Sequence, residues 1–280
     1  MTGSLWRLLT RAFASPSGRL GALILAAMSL VILAGPWFLP DPAAMPNLLA
    51  GATPPAGAHL FGTDQLNRDI LARVVSGGRI SLSVAALAVT LAVTLGALIG
   101  GAAGFYGGWV DGLLMRLVDG ALAIPRLFLL LILVAVWEQM PVPALIFVLG
   151  ATGWFATSRI VRGEVLRLRE SEFVQAATAL GAGPGRIIFL HLLPNVAGPL
   201  LVAATLGVGD VILLEAGLSY LGVGVHPPTP SWGGMILDAR SLMTTAPWAS
   251  IFPGLAIVIT VLAVNLIGDA LRGALDPRSA

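Results

Sequence analysis

Six apolar runs, each near the length that crosses a bilayer, divide this chain: 20–39, 80–105, 113–136, 142–160, 198–222 and 251–271. A hydrocarbon core about 30 Å thick takes about 20 residues of helix. No water inside it can satisfy an open backbone, so runs of this length fold as helices. The fold class expected is an all-α integral membrane protein with six transmembrane helices. Charge content agrees, at 11% against about 25% in a soluble domain.

The basic residues orient those helices. All of them are arginine, and the chain has no lysine and no cysteine. Without cysteine there are no disulfides, thiolate metal sites or cysteine nucleophiles. A phosphate-binding P-loop needs its lysine, so ATP hydrolysis by this chain itself is not expected. The first apolar run follows Arg7, Arg11 and Arg19, the outline of a signal peptide. The run is long enough to span, however, and no small-residue cleavage site follows cleanly, so an uncleaved first helix is expected. With that N-terminus cytoplasmic, the inner side carries Arg7, Arg11, Arg19, Arg116, Arg159, Arg162, Arg167, Arg169, Arg186, Arg272 and Arg278. The outer side carries Arg68, Arg73, Arg79 and Arg240, and Arg126 falls within a run. This asymmetry satisfies the positive-inside rule. The net charge of +2 therefore reads as membrane orientation and not as nucleic-acid binding.

Segments follow from the runs. Residues 1–19 form a cytoplasmic tail, and 20–78 hold the first helix and a long external loop ending in a short amphipathic helix around 65–75. Residues 79–272 form the transmembrane domain with a polar inner loop at 165–195, and 273–280 form a cytoplasmic tail.

That inner loop is the most strongly patterned stretch between spans. Phe173, Ala176, Ala177 and Leu180 recur at i, i+3, i+4 and i+7, one face of a short helix. Glu172 stands near its start, where the helix dipole favours an acid. Gly181 permits an open backbone at its end, and Pro184 starts a second short helix through Ile187, Ile188 and Leu190, stopping near Pro194. A face of alanines lets another protein approach closely. The plainer alternative is a connecting loop on the membrane surface.

The stretch resembles the cytoplasmic coupling loop of binding-protein-dependent ABC transporter permeases, described as Glu-Ala-Ala, three residues, Gly, nine residues, then hydrophobic-x-Leu-Pro. The matching positions are Gln175, Ala176, Ala177, Gly181, Leu193 and Pro194. Gln175 replaces the family's Glu, and His191 occupies its hydrophobic position. The segments HLFGTDQLNRDILARVVSGGRISL from His59, FYGGWVDGLLMRLVDGALAIP from Phe105 and LSYLGVGVHPPTPSWGGMILDAR from Leu218 are similar to the second permease of dipeptide, oligopeptide and nickel importers. Asn67 stands where that family usually has Gly. The resemblance implies a bacterial inner-membrane permease with six helices, both termini cytoplasmic and a coupling helix that includes Glu172. It also implies a second homologous permease subunit, two ATP-binding subunits that use the ATP, an extracytoplasmic solute-binding protein and surrounding membrane lipid. No cofactor, metal or catalytic residue is expected in this chain. A di- or oligopeptide is the expected substrate, with nickel or another small solute as the alternative.

Within the runs, Gly96, Gly100, Gly104 and Gly108 form a small-xxx-small seam suited to close helix packing. Pro125 is expected to bend the third helix, with Arg126 beside it turned toward protein or water. Asp210 and Glu215 in the fifth run read either as a polar translocation path or as an interhelical pair with Arg126. His59, His191 and His226 stand apart from one another, without metal-ligand spacing. For Trp232, among outer prolines, the resemblance implies docking of the external binding protein or contact with the partner permease, and the alternative is an interfacial anchor. An ion-coupled secondary transporter is the rival class, but it would show inverted repeats, and none is evident. An intramembrane enzyme would need clustered His, Asp or Ser residues, which the runs lack.

Overall fold

The structure, a computed structural model, describes residues 2–275 apart from Pro46, Leu48 and Glu138. Pro277, Arg278 and the side chain of Arg7 lie outside the described residues. Among the described residues, five helices are long and apolar enough to cross a membrane, and one sharply bent pair makes six where it counts as a single span. They are α2 (Pro16–Ala34), α3 (Ile70–Tyr106), the pair α4 (Gly108–Leu122) and α5 (Arg126–Val134), α6 (Val142–Arg169), α9 (Ala197–Tyr220) and α11 (Trp248–Leu275). Shorter helices are α1 (Thr2–Ala14), α7 (Glu172–Ala179), the single turn α8 (Pro184–Arg186) and α10 (Trp232–Asp238).

α3 and α6 form the most extensive helix pair. Their contact is backbone on backbone along the glycine seam. A Cβ on Gly96 would lie 2.6 Å from the Thr157 Cβ, one on Gly100 2.3 Å from the Ser158 carbonyl oxygen, and one on Gly104 2.9 Å from the Arg162 carbonyl oxygen. The seam stops there, because Gly108 begins α4 after a turn in which Gly107 and Gly108 both have positive φ. Where α3 ends, Arg169 Nη1 donates to the Phe105 carbonyl at 2.9 Å, closing the same helix pair. Arg162 pairs with Asp111 and Arg159 with Asp119, tying α4 to α6.

Several expected boundaries shift. The segment 65–75 is no separate helix: Asp69 caps Ala72 N at 2.8 Å and α3 runs unbroken from Ile70. Its 37 residues rise about 55 Å, so its first turns stand beyond the hydrocarbon. There Asp64 and Asp238 are shared by two arginines, with Arg73 at 2.5 Å and 2.9 Å and Arg68 at 2.7 Å and 3.3 Å. The tight turn before this helix puts Asn67 at φ 57°, a left-handed conformation that Asn tolerates nearly as well as Gly. Within the N-terminal segment, Leu8 and Ala12 of α1 are buried against Val202, Ala270 and Leu271. The third run does not form one bent helix. It breaks by 85° between α4 and α5, since Pro125 lacks the N–H to continue a helix. Trp232 is a core residue and neither an anchor nor a docking contact. It is 0% exposed, and its Nε1 donates to the Val74 carbonyl at 2.9 Å.

The seam carries a direct test. Gly100→Ala forces apart two backbones and is expected to cost about 1–3 kcal/mol, lowering the thermal midpoint of the detergent-purified protein. Gly163→Ala on the same α6, where nothing lies within 4 Å of the new Cβ, should leave that midpoint unchanged or raised.

Candidate functional site

The inner loop is built on one buried side chain. α6 ends at Glu170, whose carbonyl accepts from Gln175 Nε2 at 3.1 Å. A glutamate at 175, the residue type expected from the resemblance, could not donate that bond unless protonated, so the amide serves the turn between α6 and α7. Val174, 3% exposed, packs with Val161 and Val165 of α6 and with Ile187, Ile188, Leu192 and Val196. Phe105 at the end of α3 and Leu200 in α9 close over the same cluster. The ends of three spanning helices are thereby joined to α7.

The other face of α7 points outward. Glu172, Phe173, Gln175 and Ala176 are exposed, Ala177 is half-buried, and Leu180 is 89% exposed. The apolar face read from the sequence is thus not the one that packs on this chain. It stands free, with Gly181 at φ 82° and the Ala182 N–H to Ala177 carbonyl bond at 3.0 Å ending the helix abruptly. The second helix differs from expectation. α8 is one turn, then the chain widens into a π-helix over Ile187–Leu192 and tightens at Leu193–Asn195, where Pro194 sits. Pro194 supplies no N–H to an α-helical ladder, and the register changes before it.

Arg126, Asp210 and Glu215 separate into two sites. Glu215 is 0% exposed and accepts from Ser81 Oγ and Ser219 Oγ, both at 2.8 Å. Ser219 Oγ also receives the Val225 N–H at 3.0 Å, and Ser81 Oγ the Trp232 N–H at 3.3 Å. This carboxylate fastens α9, α3 and the outer loop together, and it neither lines a path nor pairs with Arg126. Asp210 and Arg126 instead line one open cavity of about 230 Å³ bordered by α3, α5, α6 and α9. Arg126 Nη2 donates to the Leu149 carbonyl at 2.8 Å, while its buried Nε has no hydrogen-bond partner. Asp210 is exposed on the isolated chain, on one stripe of α9 with Leu213 and Tyr220.

A family model described as binding-protein-dependent transport system inner membrane component matches residues 92–280. The chain belongs to this family. A putative peptide permease protein of Brucella suis is 42% identical, covering 99% of this chain and 92% of that protein. A dipeptide transport system permease protein of Alkalihalophilus pseudofirmus is 42% identical over 92% of this chain and 84% of its own. An oligopeptide transport system permease protein of Bacillus subtilis is 39% identical over 98% and 90%.

Two features of this permease escape a reading by hydropathy. One is the serine cage of Glu215, because Ser81, Ser219 and Glu215 are distant in sequence except for the i, i+4 pair within α9. The other is the outer arginine–aspartate network, where only Asp64 and Arg68 at i, i+4 leave a local trace. The division between the two acids is measurable. Glu215→Ala strips two buried hydroxyls of their acceptor and should cost about 1–3 kcal/mol or more. Asp210→Asn, at an exposed site, should change stability by less than about 0.5 kcal/mol. Thermal unfolding of the purified variants checks both.

Proposed function

We propose that this permease is one of two homologous membrane subunits of an ATP-driven importer, that residues 172–194 dock on ATP-binding subunits, and that short peptides are its substrates. The observation that carries the reading is the two-faced α7. Its inner face is locked by Val174 to the ends of α3, α6 and α9, while its outer face leaves Phe173, Ala176 and Leu180 uncovered. An exposed apolar patch of this kind, flanked by Glu172 and Gln175, marks a protein contact. The surrounding Arg159, Arg162, Arg167, Arg169 and Arg186 support placing it in the cytoplasm, where ATP is available.

The proposed mechanism is mechanical. Two ATPase subunits closing on ATP displace the coupling loops of the two permeases. Because α7 shares a packed cluster with the helix ends, a shift of α7 is transmitted as a tilt of α6 and α9. The cavity between those helices then opens alternately to the two sides. An extracytoplasmic solute-binding protein delivers the substrate at the outer face, near the segment held by Asp64, Arg68, Arg73 and Asp238. The names of the relatives, which include dipeptide and oligopeptide transport, support a peptide over nickel or another solute.

The absence of cysteine makes the coupling claim testable without background. Ala176→Cys, paired with single cysteines across the docking surface of the ATPase subunit, should crosslink in membranes with a yield that changes on adding ATP. Uptake driven by a proton gradient, with no crosslink anywhere on that surface in an intact complex, would overturn the reading.

A further inference from the structure

The Arg126–Asp210 cavity holds two opposite charges that do not meet. Among the described residues no ion pair joins them and no hydrogen bond reaches Asp210, yet both side chains line the same space. Asp210 is the fourteenth residue of α9, about 20 Å along a helix about 36 Å long, so the cavity lies at mid-membrane. A carboxylate facing lipid at that depth is costly, and the face that bears it must meet protein, water or a polar ligand. Arg126 is held from the opposite wall. The break at Pro125 sets it at the first position of α5, where the helix dipole adds positive potential. Gly153 leaves room for the guanidinium: a Cβ there would lie 3.0 Å from Arg126 Nη2. Its Nη2 is committed to Leu149, and the buried Nε is left without an acceptor.

In a site of low dielectric, separated opposite charges attract strongly, and the group that satisfies both carries a cation and an anion at short separation. The geometry points to a translocation subsite for a short zwitterion, in which Arg126 receives a peptide's terminal carboxylate and Asp210 its terminal ammonium. The remaining wall fits such a ligand, with Thr157 as a neutral hydroxyl and Gly207 and Ala203 giving room on α9. The cavity, about 230 Å³ and open along the exposed stripe of α9, admits the two ends of a short peptide. This deepens the peptide-importer reading and rests on it.

The test bypasses the solute-binding protein, which has its own preference. Ala156→Cys places the only thiol of this chain on the cavity wall of the complete complex in lipid nanodiscs, and the rate of maleimide modification of this subunit is followed. Alanylalanine at about ten times its half-protecting concentration should slow modification about tenfold. Its C-terminal amide and its N-acetyl form should protect far less. In the Asp210→Asn background the N-acetyl form should protect as well as the free dipeptide, with the amide still discriminated. Arg126→Gln should reverse that pattern, and Arg126→Lys should retain the original one. Asp210 supports no packing in this chain, so its variant carries the test even where Arg126→Gln fails to assemble. Equal protection by all three probes, no protection by any, or discrimination unaltered by Asp210→Asn overturns the inference. ATP-dependent alanylalanine uptake, measured in parallel on proteoliposomes that also contain the binding protein, separates the two levels. Uptake without the predicted protection leaves the importer reading standing, while a complex that imports no short peptide removes both.

Discussion

The close approach of α3 and α6 governs the rest of this molecule. In a bilayer, apolar side chains gain little by leaving lipid, so helices associate through van der Waals contact between closely fitted surfaces. Gly96, Gly100 and Gly104 remove every side chain from one line of α3 and let the α6 backbone lie against it. With that contact in place, the continuous α6 emerges from the membrane at a defined angle and carries α7 with it. The same contact fixes two walls of the Arg126–Asp210 cavity. The exposed face of α7 and the Arg126–Asp210 cavity are thus two ends of one rigid pair.

The spanning helices and the inner loop were legible because hydrophobic length, arginine placement and the i, i+3, i+4, i+7 pattern are local properties. Each is written within about twenty consecutive residues. What was not legible depends on partners far along the chain. The glycine seam announced close packing but not that α6 would be its partner. Trp232 looked like a surface aromatic because its neighbours are prolines, and only the fold brings the Val74 carbonyl to its indole N–H. Likewise Glu215 and Asp210, five residues apart on one helix, point to different surroundings. Five residues rotate the helix face by about 140°, so one acid enters the serine cage and the other opens to the cavity. The third run misled for a different reason. Hydropathy continues across Pro125, whereas the backbone hydrogen bonds do not.

The apolar pattern of α7 was visible and its direction was not. A four-residue apolar repeat ordinarily marks the face a helix buries in its own protein. Here Val174, outside that repeat, makes the internal contact, and the repeat itself is left exposed apart from the half-buried Ala177. Gln175 shows how a departure from a family pattern can be read physically: the amide donates to Glu170 where a carboxylate could not.

The central claim is that α7 and α9 move as one body. Spin labels at Leu180→Cys and Leu221→Cys, both exposed, mark the coupling loop and the outer end of α9. Their separation, measured by pulsed electron resonance in the nucleotide-free and ATP-trapped complex, should stay the same while ATP changes the separation of Leu221 from a label on the partner permease. A change in the first distance of more than about one helical turn, about 5.4 Å, with α9 stationary against the partner, would contradict the account.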